Sequence, residues 1–142
     1  MRLNPHLTFD GRCEEAFRFY REVIGGEILA MVRYQGTPLA HRVPPAWREK
    51  ILHATLDLGG TRLTGADVTA EEGYVAPTGF SVLVEAGTAA EAERVFAALS
   101  DGGDVILPLT PTFWAERFGM LVDRFRIPWI LNCARPGAEA DG

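Results

Sequence analysis

The feature that most constrains the fold is an internal repeat. With an offset of 77 residues, Phe19 aligns with Phe96, and GGEIL at residues 25–29 aligns with GGDVI at residues 102–106. Each copy has the pattern of a strand, a helix and three further strands. One such unit alone would leave a face of its small sheet uncovered. The repeat therefore predicts an α+β fold of two paired βαβββ modules.

Hydrophobic spacing and end signals locate the two helices. The first is predicted from Cys13, with Asp10 as its N-cap, and it ends at Gly25-Gly26. The second is predicted to open with the capping box Thr88-Ala89-Ala90-Glu91 and to end at Gly102-Gly103. Each helix has an apolar stripe at helical spacing, which predicts packing of one helix face against a sheet.

The segment of residues 110–133 reads as a strand hairpin. One face of its first strand carries Trp114, Glu116, Phe118 and Met120. Its second strand, residues 127–133, is apolar on both faces except for Asn132. Two roles are open for Glu116. It forms an ion pair with Arg117 or Arg33, or the aromatic rings desolvate it, which would raise its pKa and suit it to general acid or base chemistry.

Residues 50–65 read as a second hairpin, closed by Gly59-Gly60 in a two-residue turn. In its first strand His53 shares a face with Thr55 and Asp57, away from the apolar face. The preceding loop, residues 35–48, holds His41 and Trp47. A loop of this length is typical of a lid or a partner contact, and a tolerated insertion is the alternative.

Composition narrows the classes of protein. The 142 residues are 47% hydrophobic and predict one domain with a real core. We divide it into module one at about residues 1–67, a linker at about 68–77, module two at about 78–134, and a tail at 135–142. The net charge of −5 argues against nucleic acid as a partner. No membrane span or signal-peptide core is evident, so we expect a cytoplasmic protein with Cys13 and Cys133 as free thiols.

Three motifs in this order carry a resemblance to a known family: LNPHLTFDGRCEEAFRFYREVIGG, HATLDLGG and TFWAERFGMLVDRFRIPWILNC. Together with the paired βαβββ units, they resemble the PhnB-like branch of the vicinal oxygen chelate superfamily. That superfamily includes glyoxalase I, extradiol dioxygenases and bleomycin and fosfomycin resistance proteins. The resemblance implies a curved mixed sheet around a central trough, with the helices on its outer face. Some members of the branch are labelled ubiquinone-pathway methyltransferases, but the chain has no glycine-rich motif for a nucleotide methyl donor.

The resemblance also implies where a metal would lie. Superfamily enzymes hold a divalent cation with side chains from the first and last strands of both units, and these positions correspond to His6, near Thr64, near Phe80 and near Ile130. Only His6 among them is a strong ligand, so we expect the usual metal site to be lost. A displaced site is the alternative, with His6, His53 and Glu116 as ligands and Asp67 or His41 as further candidates.

The residues and the family resemblance together leave two candidate functions. The first is a binding protein without a metal cofactor, which takes a small aromatic or apolar molecule into the trough. The predicted lining is His6, His53, Thr64, Phe80, Trp114, Glu116, Phe118 and Ile130. The alternative is a metal-dependent lyase, isomerase or oxygenase of the glyoxalase and dioxygenase type, with a divalent metal ion at the displaced site and Glu116 or His53 as candidate catalytic residues. The resemblance also leads us to expect a homodimer.

Overall fold

A computed structural model describes residues 1–137 of the chain, which divides into two compact units between Ala76 and Pro77. Each unit contains one helix and one four-stranded mixed sheet. The predicted α+β fold of two βαβββ modules is confirmed. Among residues 1–137, no helix is long and apolar enough to cross a membrane. The end of the predicted tail, residues 138–142, lies outside the described residues.

The first unit follows the predicted order of elements. Its bounds are β1 (His6–Phe9), α1 (Cys13–Ile24), β2 (Glu27–Arg33), β3 (Ile51–Leu58) and β4 (Thr61–Asp67). The sheet order is β1-β4-β3-β2, with β1 parallel to β4 and the other neighbours antiparallel. The loop before β3 contains two short 3-10 turns, Ala40–Arg42 and Pro45–Trp47.

The second unit repeats this topology. Its bounds are β5 (Val82–Glu85), α2 (Ala89–Ser100), β6 (Asp104–Thr110), β7 (Ala115–Val122) and β8 (Pro128–Ala134). The sheet order is β5-β8-β7-β6, with β5 parallel to β8. A parallel pair of first and last strands therefore occurs in both units.

A glycine in each sheet sets how closely the helix packs. A Cβ added at Gly65 would lie 2.6 Å from a ring carbon of Phe17 on α1, and one added at Gly119 would lie 2.8 Å from a ring carbon of Phe96 on α2. These glycines leave room for the aromatic rings that pack against the sheets. They also identify the helix-covered face of each sheet, and we call the opposite face the open face.

The start of α1 differs from the sequence prediction. Its N-cap is Arg12, which makes no side-chain capping bond, and Asp10 is exposed. The buried carboxylate of Asp67 at the end of β4 instead accepts hydrogen bonds from the backbone N–H groups of Gly11 and Cys13, both at 2.9 Å. The prediction of Asp10 was wrong because the capping carboxylate comes from a strand more than 50 residues away.

Other local predictions are confirmed. Thr88 Oγ1 accepts from the backbone N–H of Glu91 at 3.1 Å, and Glu91 Oε1 accepts from the N–H of Gly87 at 3.0 Å. The turn residues Gly59 and Gly60 have φ angles of 57° and 98°, which suit glycine. These features are local, so the sequence pattern was sufficient to locate them.

The turn between β7 and β8 is organised by Asp123. Its buried carboxylate accepts hydrogen bonds from the backbone N–H groups of Phe125 and Ile127 and from the indole N–H of Trp129 at 2.8 Å. Three donors therefore satisfy one buried carboxylate. Trp129 is 1% exposed and anchors the core of the second unit.

Candidate functional site

The open face of the first unit carries a polar row across three strands. Because Gly65 faces the Phe17 ring, its neighbour Thr64 faces the other way, and strand register places His6 and Thr55 on either side of Thr64. His6 Nδ1 lies 2.7 Å from Thr64 Oγ1. A direct hydrogen bond therefore joins the two residues of this unit that the resemblance carried over as metal positions.

The Thr64 hydroxyl determines which nitrogen of His6 is available. Thr64 Oγ1 also donates to the carbonyl oxygen of Pro5 at 3.3 Å, so it accepts from the Nδ1–H of His6. This assigns the proton of the neutral ring to Nδ1. The Nε2 atom of His6 is therefore an acceptor, suited to a ligand hydroxyl or a metal ion.

His53 lies beside this polar row, two residues before Thr55 on the same face of β3. Its Nε2 lies 2.9 Å from the hydroxyl of Thr55, which is 6% exposed. His6 is partly covered by its surroundings, and this burial, followed by the charge of nearby His53, lowers the pKa of His6 from its usual 6.5. A depressed pKa means that the neutral imidazole is the main form of His6 at neutral pH. Two imidazoles and two hydroxyls are therefore grouped on this face.

The open face of the second unit is largely apolar. Because Gly119 faces α2, residues adjacent to it in β7 point to the open face, and strand register extends this assignment to the other strands. The first row contains Leu83, Ile130, Met120 and Leu107. The second row contains Glu85, Asn132, Phe118 and Thr110. The two units therefore present different chemistry on corresponding faces.

Aromatic rings border these rows. The rings of Trp114 and Phe118 meet edge to face, with 5.3 Å between their centroids. The ring of Phe113 meets Trp114 in the same way at 4.8 Å. Trp114 is 48% exposed and Phe113 is 89% exposed. An aromatic corner with this much exposed surface is suited to bind a flat apolar group.

Among residues 1–137, Glu116 makes no ion pair with Arg117 or Arg33, the first of the two roles that the sequence left open. Arg117 Nε donates to Glu93 at 3.0 Å, and Arg33 donates to Glu14 at 2.9 Å. Hydrogen bonds from Arg33 and Arg18 lower the pKa of Glu14 to about 2. That pairing was wrong because both arginines lie closer to helix carboxylates. Glu116 itself is half-buried at a register shift in β7.

Strand register changes the first-strand metal position of the second unit, which the family resemblance placed near Phe80. Strand β5 begins at Val82, so Phe80 precedes it, and the β5 residue paired with Ile130 is Leu83. The repeat offset of 77 residues likewise aligns His6 with Leu83. The place of Phe80 in a binding site remains a prediction, and Leu83 is the residue in register on the open face.

The superfamily metal positions do not fit a metal ion. His6 and Thr64 provide one imidazole and one hydroxyl, whereas Leu83 and Ile130 provide hydrocarbon. Residues 1–137 bring together no group of three or more His, Cys, Asp or Glu side chains suited to a metal. The displaced set of His6, His53 and Glu116 remains a prediction.

The two further candidates for that displaced set have other surroundings. Asp67 is 1% exposed, and its carboxylate accepts three backbone N–H groups, those of Gly11, Cys13 and Ile51. These bonds use the oxygens that a metal would need. His41 is exposed on the 3-10 turn Ala40–Arg42.

Comparison with known proteins agrees with the fold described above. A family model described as 3-demethylubiquinone-9 3-methyltransferase matches residues 1–132. The PhnB protein from Bacillus cereus is 27% identical, with a TM-score of 0.80 over 94% of this chain and all of that one. The chain belongs to the PhnB-like family. Protein PA1353 from Pseudomonas aeruginosa is 40% identical, with a TM-score of 0.87 over 94% of this chain and 98% of that one.

A more distant comparison supports the superfamily fold. A glyoxylase/bleomycin resistance protein/dioxygenase domain from Frankia sp. EAN1pec has a TM-score of 0.61 at 15% identity, over 95% of this chain and 98% of that one. At this identity only the fold is shared. The predicted resemblance to the PhnB-like branch is confirmed, and the chain shares the fold of this glyoxylase/bleomycin resistance protein/dioxygenase domain.

The family description names a methyltransferase, and the two units of this PhnB-like protein differ from the Rossmann-type folds that bind a nucleotide. Their strand-to-helix turns, residues 10–12 and 86–88, each hold one glycine. Turns that cradle a nucleotide carry several glycines and lie in a parallel sheet covered on both faces. Both sheets here are mixed, and each carries one helix.

Sequence reasoning missed several open-face residues, namely Thr55, Leu83, Glu85 and Asn132. Asn132 gave a signal, since it is the polar exception in an apolar strand. Leu83 and Glu85 alternate with Val82 and Val84, but the site position was carried over to Phe80, three residues before Leu83, and an odd shift along a strand reverses the face. Strand pairing was needed to assign the face.

Proposed function

We propose that this PhnB-like protein binds a small aromatic or apolar molecule, without a metal ion, on the open face of the second unit. The observation that carries the proposal is the apolar row beside the edge-to-face pair of Trp114 and Phe118. Large apolar side chains on a sheet face are normally covered in a folded protein. A ligand would provide that cover.

The exposed apolar side chains of this face would contribute favourable free energy when a ligand covers them. Leu83 is 53% exposed and Leu107 is 40% exposed, so a ligand would remove apolar surface from water. Burial contributes roughly 25 cal/mol per Å² of apolar surface, against the entropy cost of association. The rigid edge-to-face geometry of the rings limits the ordering cost on the protein side. Affinity then depends on the aromatic corner more than on polar contacts.

The test is calorimetric titration of metal-free protein with 1-naphthalenemethanol. We expect saturable binding at one site per chain and about tenfold weaker binding by Trp114→Ala, because an aromatic pair contributes roughly 0.5–1.5 kcal/mol beyond its buried area. Trp47→Ala, which removes an indole from the loop of the first unit, is the matched control and should bind as the wild type does. Equal loss in both variants, or no binding by the wild type, would contradict the proposal.

A metal-dependent enzyme of the glyoxalase and dioxygenase type is the second candidate. It is favoured by one observation, the grouping of His6 and His53 on one face, where burial and, to a smaller extent, the charge of His53 lower the pKa of His6. Imidazole nitrogens of this kind are ligands that suit zinc or iron. In this case the cation would stabilise an enediolate or activate oxygen.

Zinc binding separates the two candidates. If the displaced site exists, chelator-treated protein should take up one equivalent of zinc by calorimetry, and His53→Ala should abolish that uptake. The exposed His41→Ala is the matched control. Absence of stoichiometric zinc in the wild type would eliminate the metal-dependent candidate.

A further inference from the structure

We infer that the preferred ligand of the second unit's open face is an organic cation with a flat apolar body. This inference rests on the proposed function and specifies the chemical class of the ligand. Three features of one row lead to it: an aromatic corner at one end, an unused hydrogen-bond acceptor in the middle, and a carboxylate at the other end.

The aromatic corner suits a cation as well as a neutral ring. Trp114 and Phe118 lie with an interplanar angle of 71°, so they form two walls of a corner. The faces of such rings attract ammonium and other organic cations, and tryptophan does so most strongly. Trp114 is half-exposed, so its ring is accessible from solvent.

Asn132 provides the acceptor in the middle of the row. It lies between Phe118 and Glu85 in strand register. Its side-chain oxygen is buried and has no hydrogen-bond partner within residues 1–137. A buried acceptor without a donor costs free energy, and a ligand N–H would remove that cost. The last torsion of an asparagine side chain is soft, so rotation of the amide would present the oxygen to such a donor.

Glu85 provides the charge at the edge of the sheet. It alternates with the inward-facing Val84 and is exposed. In the described part of the chain it makes no salt bridge; two arginines of the same unit pair with other carboxylates, Arg117 with Glu93 and Arg124 with Asp101. The carboxylate is therefore available to a ligand cation.

The spacing of the row fits one small molecule. Glu85 and Phe118 lie two strands apart, which is about 10 Å at the usual strand separation. A bicyclic ring with a short ammonium arm spans that distance. The net charge of −5 also favours encounter with cations over anions.

The experiment compares two ligands that share one ring system. 1-Naphthylmethylamine carries an ammonium at about pH 7, and 1-naphthalenemethanol carries a hydroxyl at the same position. We expect the wild type to bind the ammonium about tenfold more tightly, because hydrogen bonds to charged groups are roughly twice as strong as neutral ones. Glu85→Gln should abolish the preference, because it weakens binding of the ammonium much more than binding of the alcohol. Asp104→Asn, a carboxylate on β6 outside this row, should keep the preference.

The outcomes distinguish the two proposals. Equal affinity for both ligands in the wild type, or a preference that survives Glu85→Gln, would overturn the cation inference while the proposed function stands. Failure of both ligands to bind would overturn the proposed function and this inference together. A preference lost in Glu85→Gln and reduced by added salt would support the inference.

Discussion

Replacing Asp67 with asparagine should lower the free energy of unfolding by about 3 kcal/mol, the range expected for a buried hydrogen-bond network that loses its acceptor. In the native protein Oδ1 accepts from the N–H groups of Gly11 and Cys13, and Oδ2 accepts from that of Ile51 at 2.9 Å. Asparagine keeps one oxygen, so its NH₂ group would face the donor of Ile51. Urea unfolding monitored by circular dichroism measures the loss.

Asp57→Asn is the matched control on the neighbouring strand. Asp57 is only partly buried, and its carboxylate lies 3.5 Å from Arg62, so its removal should cost under about 1 kcal/mol. Equal losses in the two variants would contradict the structural role of Asp67. Burial raises the pKa of Asp67 above its usual 3.8, in spite of the three backbone hydrogen bonds. Its contribution to stability should therefore decrease as pH rises from 3.8 through the folded-state value.

Gly119→Ala should also destabilise the protein strongly, by about 2 kcal/mol. The added Cβ would lie 2.8 Å from a ring carbon of Phe96, 2.9 Å from the Cα of Leu109 and 3.1 Å from the carbonyl oxygen of Leu107. Two of these contacts are with the backbone of β6, which cannot move without disturbing its pairing with β7. Thermal unfolding compared with wild type measures the effect.

Gly87→Ala is the control, because it replaces a glycine at a position where the added Cβ has no close neighbour. A Cβ at Gly87 would meet nothing within 4 Å, and its φ angle is not in the left-handed region. Stability should therefore stay within about 0.5 kcal/mol of wild type. If Gly119→Ala proved as stable as Gly87→Ala, the close packing of α2 and β6 against β7 would be wrong.

The sequence by itself determined the elements and their order. The helix ends at Gly25 and Gly102, the capping box at Thr88 and the turn at Gly59-Gly60 depend on residues close together in the chain, and all were predicted from local patterns. The repeat and the three motifs predicted the two βαβββ units and the PhnB-like family. The family pattern assigned His6 and Thr64 to the first and last strands of the first unit, and the parallel pairing of those strands brings the two side chains together.

Only the tertiary structure decided which side chains meet and which face they share. Asp67 caps α1 in place of Asp10, because strand pairing brings a carboxylate from 54 residues away to the start of the helix. Arg33 and Arg117 pair with helix carboxylates, so Glu116 is left without them. Leu83 and Glu85 are assigned to the open face by the register with β8. Side chains alternate every residue along a strand, so a small error in its start reverses the face, and only hydrogen-bonded pairing removes that ambiguity.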